Sequence, residues 1–139
     1  MKLTQKELKE LTDPTLVGIL ATVNQNGSAQ ATPIWYLYDG ETFNVTGHTA
    51  RVKVQNIRYN PKVSLVVVDT LNNGQPLIVN GTAELIEKEA DQYTERMCVR
   101  YLGDKKGEES AEKLIEYARN IGEHRVIIRI TPERIIYGK

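Results

Sequence analysis

The amino-acid sequence predicts a mainly β protein with α-helices, a small closed or half-closed barrel carrying helices on its outside. Three observations support this. Two dipeptides that favour tight hairpin turns, Asn26-Gly27 and Asp39-Gly40, separate runs of strand length. Two further runs, KVSLVVVDT at 62–70 and LIVNGTAELI at 77–86, are rich in β-branched residues or alternate in polarity. The elements follow in the order helix, three strands, helix, two strands, helices and terminal strands, which suits helices packed around a curled sheet. With 139 residues, the chain is expected to form one domain, 1–139.

Taken in order, Thr4-Gln5-Lys6-Glu7 is a capping box, so a short helix with Leu8 and Leu11 on its apolar face should follow and end before Asp13-Pro14. LVGILATVN (16–24) then reads as a strand. It turns at Asn26-Gly27 into SAQATPIWYLYD (28–39), and Asp39-Gly40 leads into ETFNVTG (41–47), so the first half reads as an antiparallel meander. From Thr49 to Tyr59 the period becomes helical: Val54 and Ile57 share one face, Arg51, Gln55 and Arg58 another, and Asn60-Pro61 ends the segment. LNNGQP (71–76) is a turn between the two β-branched strands. EKEADQYTERMCVRYLG (87–103) and EESAEKLIEYARNIG (108–122) read as helices, each stopped by a glycine. These two helices are expected to shape a site entrance or a subunit surface. RVIIRITPERIIYG (125–138) closes the chain as one or two strands.

Composition narrows the function. Lys+Arg and Asp+Glu balance at 18 each, so the basic surplus of a nucleic-acid or anionic-membrane binder is missing. No run approaches the roughly 18 apolar residues of a membrane span, and MKLTQKELKE lacks the apolar core of a signal peptide, so a cytoplasmic protein is expected. In that setting the three NxS/T triplets, at Asn26, Asn44 and Asn80, are turn and strand residues. Cys98 is the single cysteine and reads as a small apolar helix residue. His48 and His124 are far apart with no partner at ligand spacing, so no metal site is expected.

Hydrolytic constellations, a phosphate-binding P-loop and the GxGxxG fingerprint are all lacking. Chemistry would therefore rest on a bound cofactor. One stretch stands out: TGHTARVKVQN, residues 46–56, gathers Thr46, His48, Thr49, Arg51 and Lys53 where a strand passes into a helix. Free amides and the dipole at a helix start favour an anion, and two cations with two hydroxyls add donors. The composition is that of a phosphate pocket. A capped surface helix with solvated basic side chains accounts for the same residues.

Residues 31–69, ATPIWYLYDGETFNVTGHTARVKVQNIRYNPKVSLVVVD, resemble the core signature of the pyridoxamine 5'-phosphate oxidase-like split-barrel flavoproteins. The elements in question are Pro33-Ile34-Trp35, the segment Arg51-Val52-Lys53-Val54-Gln55-Asn56-Ile57, and Pro61-Lys62-Val63. The likeness covers residues 16 to 87, and RVIIRITPERII is similar to the family's last strands. It implies an FMN-binding-type split β-barrel, and the short chain most resembles the branch of F420-dependent reductases, which also contains FMN binders. An arginine- and tryptophan-rich ending is missing, which disfavours vitamin B6 oxidation.

By the same resemblance, Arg51 and Lys53 hold the cofactor phosphate with Thr49 and nearby amides as further donors. From the composition of residues 46–56, the Thr46 hydroxyl is a further candidate. His48 stands where many relatives carry a hydroxyl. Thr32, Pro33, Ile34 and Trp35 map to the strand along which the ring lies, although Trp35 also reads as a plain core aromatic. Asn56 is expected to tie helix to loop, and Arg58 and Lys62 are placed to meet an extended F420 tail. No catalytic side chain is identified. The implied protein is a homodimer with a small-molecule substrate, Tyr36, Tyr38 and the 71–76 loop being candidates to reach the neighbour's site. It is an oxidoreductase using F420 or FMN; the alternative is a non-catalytic binder of a flavin, haem or F420.

Overall fold

The structure, a computed structural model, describes residues 3–69 and 74–138. The chain runs α1 (Gln5–Thr12), β1 (Gly18–Val23), β2 (Ala29–Ile34), β3 (Leu37–Tyr38), β4 (Phe43–His48), α2 (Val52–Tyr59), β5 (Lys62–Val68), β6 (Pro76–Ile86), α3 (Ala90–Leu102), α4 (Asp104–Asn120) and β7 (Arg125–Tyr137). All seven strands join one antiparallel sheet in the order β2-β1-β5-β6-β7-β4-β3. This is the mixed, mainly β split barrel that the sequence predicts, with β2 and β3 as its edges.

The expected hairpins form, β1 with β2 and β3 with β4. The simple meander does not. The run 28–39 breaks after Ile34, and Trp35-Tyr36 carry the chain from one edge of the sheet to the other. Tyr101 on α3 sustains that break. Its hydroxyl donates to the Leu16 carbonyl at 2.7 Å and lies 3.2 Å from both the Tyr36 amide and the Tyr36 carbonyl, and its ring stacks on Trp35 at 4.7 Å. Backbone groups that a neighbouring strand would have paired are thereby satisfied by a side chain.

Alternation of apolar and polar residues places the core on the concave face. Leu20, Leu65, Val79 and Ile128, together with Phe43 and Val45, are almost wholly buried there. Leu8 of α1 and Val54 and Ile57 of α2 belong to the same cluster. The capping box of α1 is present, Thr4 Oγ1 accepting from the Glu7 amide at 3.1 Å. β7 is a single long strand whose register against β6 shifts at Asn80/Gly81. There Gly81 is required, since a Cβ would lie 2.3 Å from the Thr131 carbonyl oxygen. α3 and α4 form a hairpin through Gly103, and α3 lies against β7 and β4. α4 begins at Asp104, four residues earlier than expected. Residues 70–73, which include half of the predicted 71–76 turn, lie outside the described residues. Among the described residues, no helix is long and apolar enough to cross a membrane.

Candidate functional site

Because β3 pairs only with Phe43 and Asn44, the rest of β4 has a strand neighbour on one side alone. A cleft of about 460 Å3 opens in this region, within the range of roughly 300–1,000 Å3 usual for small-ligand sites. Pro33, Ile34 and Trp35 form one wall, Arg51, Lys53, Thr46 and Arg125 the polar side, and Met97, Cys98 and Leu114 of the helical hairpin a third boundary, with Val17 beside them.

Local sequence explains how the cations reach it. β4 ends at His48, a turn through Thr49-Ala50 follows, and Arg51 is the N-cap of α2, with no side-chain hydrogen bond capping the helix. First-turn amides without a side-chain cap and the aligned dipole make that end favourable to an anion. Lys53 lies back across Gly47: a Cβ there would stand 3.1 Å from Lys53 Cε and 3.4 Å from Val54 Cγ2. Glycine at 47 thus leaves room for the lysine stem. Burial, followed by repulsion from Arg51 and Arg125, pushes the Lys53 ammonium down from 10.5 to about 8.

Arg125 opens β7 and is 7% exposed. Its Nη2 donates to Thr46 Oγ1 at 2.8 Å and its Nε to Thr94 Oγ1 at 3.4 Å. Among the described residues the ion pairs are Lys62 with Glu133 and His124 with Glu87, both at the surface. None of the three cleft cations forms an ion pair with a carboxylate among the described residues. A larger groove of about 560 Å3 between α3 and α4 carries Glu95, Glu108, Glu112 and Glu116, which would repel an anionic ligand.

Of the residues singled out by sequence, Pro33, Ile34, Trp35, Thr46, Arg51 and Lys53 come together at the cleft. Three do not line it. Thr32 is half-buried on β2, opposite Leu20. His48 is buried, accepts the Ala50 amide on Nδ1 at 3.2 Å and rests near the Tyr117 ring. Burial and then the surrounding cations Arg51, Arg125 and Lys53 hold its pKa below the usual range, so it is neutral at pH 7. Thr49 has both donors engaged within the protein, its amide to the His124 carbonyl and its hydroxyl to Glu123, so it fastens the β4–α2 turn to the start of β7.

Asn56 ties α2 to β1, its Nδ2 donating to Thr22 Oγ1 at 3.0 Å and Asn24 Oδ1 at 2.8 Å. Arg58 and Lys62 are not among the cleft's lining residues. Sequence reading missed Arg125, Met97, Cys98 and Leu114. The one available signal was an arginine standing directly before the apolar run VIIRI.

The open side of this antiparallel split barrel thus carries three cations that, among the described residues, form no ion pair, beside the apolar wall of Pro33–Trp35. The profile described as Pyridoxamine 5'-phosphate oxidase matches residues 4–138, and the chain belongs to that family. Among curated proteins, none matches. Among solved structures, a protein described as an F420 reductase is 28% identical, with a TM-score of 0.73 over 92% of this chain and 94% of that one. The conserved hypothetical protein Rv2991 from Mycobacterium tuberculosis is 23% identical, with a TM-score of 0.76 over 100% of this chain and 86% of that one. A FAD-binding protein from Mesorhizobium loti is 20% identical, with a TM-score of 0.61 over 96% and 90%. The last two likenesses show the fold alone.

Proposed function

We infer that the protein is an oxidoreductase that binds a flavin-type cofactor, coenzyme F420 in the first instance, and moves a hydride to or from a small conjugated substrate. One observation carries this reading. Arg51, Lys53 and Arg125, uncompensated by any carboxylate among the described residues, face the Pro33–Trp35 wall across a ligand-sized cleft. The residues present fit such a cofactor. Cations and helix-start amides suit a phosphate, and the apolar wall suits a ring. When bound, the cofactor would supply a ring that accepts and donates hydride. The chain's own part is to bind and orient it and to present a ring face to substrate. The 28% identical protein described as an F420 reductase favours F420.

FMN is the second reading, favoured by the absence of Arg58 and Lys62 from the cleft lining, where a longer acidic tail would have drawn on them. No carboxylate or histidine lines the cleft either, so a product proton would come from Lys53 or solvent, and a purely binding role remains the alternative.

The working unit is a homodimer. By strand register, Pro33, Ile19, Val66, Ile78 and Ile136 stand side by side across five strands. They alternate with core residues such as Leu20, and Ile19 is 40% exposed. Pro33 also borders the cleft, so a second copy covering this row would stand beside the site.

Titration of the purified protein with F420 and with FMN, followed by addition of a quinone or other enone to the reduced complex, tests the reading. Tight binding of one cofactor with reoxidation by the enone is expected. Binding without turnover would establish the carrier, and no binding of either to a folded dimer would overturn the proposal.

A further inference from the structure

The geometry points to Arg125 as a third phosphate-binding residue, one that makes this cleft select cofactors bearing a phosphoryl group over the same ring without one. The inference rests on the cofactor reading above and deepens it. Arg125 lies more than seventy positions beyond the Arg51/Lys53 pair and belongs to a different element, the first residue of β7. It is nonetheless brought to the same cleft.

Its environment is that of a residue held for a ligand. The side chain is buried, which for a guanidinium without a partner is strongly unfavourable. Among the described residues, its hydrogen bonds are to two threonine hydroxyls, Thr46 and Thr94. A hydroxyl orients a guanidinium without neutralising it. Asp91 is near enough to favour its charge, yet among the described residues it forms no ion pair with it. The Thr94 hydroxyl is itself anchored, donating to the Ala90 carbonyl at 2.8 Å, so α3 fixes the tether. A five-donor fork with two of its N–H groups on hydroxyls has others left to offer, and forked donors match phosphoryl oxygens better than a point charge does.

Three cations of different origin converging on one cleft exceed what a neutral ring requires. They match a group whose charge is shared over several oxygens. Arg51 and Lys53 approach from the start of α2, and Arg125 from β7, so an anion between them would be gripped from two elements at once. That gives the fold a reason to keep a buried arginine at the head of β7.

The test compares ligands with and without the phosphoryl group: FMN against riboflavin, which differ in that group alone, and F420 against its deazaflavin core, which lacks both the phosphate and the acidic tail beyond it. Affinities are read by fluorescence quenching with wild type, Arg125→Gln and Arg125→Lys. Wild type should prefer the phosphorylated member by about 100-fold or more, the scale of several charge-assisted hydrogen bonds. Arg125→Gln should lower that preference about 10-fold or more while leaving the phosphate-free ligands unchanged, and Arg125→Lys should fall between. An unaltered preference in a folded Arg125→Gln protein overturns the inference.

Should the glutamine variant not fold, the Arg125 Nε–H signal of the wild-type protein decides by NMR. It should move on addition of inorganic phosphate, and a static signal overturns the proposal. If no ring-bearing ligand binds while phosphate still moves that signal, the redox reading fails and the anion site stands.

Discussion

Replacing Lys53 with methionine isolates what the concentrated charge costs the protein in the absence of ligand. The ammonium falls from 10.5 to about 8, first through burial and then through Arg51 and Arg125. At about 1.4 kcal/mol per pKa unit, that difference disfavours the charged form by about 3 kcal/mol. The unfolded chain keeps its proton up to about pH 10.5 and the folded chain releases it near pH 8. Between these values the unfolded state binds more protons, so this residue's contribution to stability rises with pH, and below pH 8 the full penalty applies. Methionine keeps a stem of similar length across Gly47 and removes the charge. The variant should therefore be more stable than wild type by about 2–3 kcal/mol at pH 7, on the order of 5–10 °C in melting temperature for a chain this size. Its advantage should shrink steadily from pH 8 to pH 10. Its affinity for a phosphorylated cofactor should drop about 10-fold or more. Thermal unfolding followed by circular dichroism at pH 7, 8.5 and 10 in phosphate-free buffer measures the first two effects. A variant no more stable than wild type at pH 7, or a gap that does not change with pH, would refute the reasoning, since either would mean that Lys53 is not held charged against burial.

Two further perturbations probe the scaffold around the cleft. Gly107→Ala should destabilise the protein by more than about 2 kcal/mol, although alanine is the better helix former by about 1. The new Cβ would lie 2.4 Å from Val99 Cα and force α4 off α3; a lower denaturation midpoint at unchanged slope is the readout. Tyr101→Phe should cost about 1–2 kcal/mol by leaving the Leu16 and Tyr36 carbonyls short of a donor. It should also alter the emission of Trp35, the single tryptophan, whose ring stacks on Tyr101.

What the sequence disclosed and what it concealed divide along the range of the interactions involved. The hairpins at Asn26-Gly27 and Asp39-Gly40, the Thr4/Glu7 cap and the placement of Arg51 and Lys53 at a helix start all depend on residues within a few positions of one another. They are legible for that reason. The break at Trp35-Tyr36 is not, because every residue from Ile34 to Tyr38 favours extended structure and the group that redirects the chain is Tyr101, 65 positions from Tyr36. Thr49 read as a phosphate donor because nothing nearby revealed that Glu123, 74 positions on, takes its hydroxyl. The expected second long helix starts at 108 and leaves Gly107 outside it, yet Gly107 lies within α4, where the contact with Val99 requires a glycine. Arg125 escaped notice because only the β4–β7 register sets it across from His48 and brings it to Thr46.

The contrast between the cleft and the rest of the surface bears on why the fold tolerates so much like charge in one place. Lys62, exposed on β5, has the Glu133 carboxylate beside it. In the cleft, Arg125 is held by the Thr46 and Thr94 hydroxyls, and Gly47 leaves room for the Lys53 stem. A carboxylate there would hold the arginine more firmly and relieve the repulsion that lowers the Lys53 pKa. It would also compete with an incoming anion for the same donors, so that binding would first have to break a buried ion pair. Hydroxyl tethers fix geometry while leaving the charge available. Under the proposed function, binding of an anionic cofactor and folding stability would be coupled through the same three side chains.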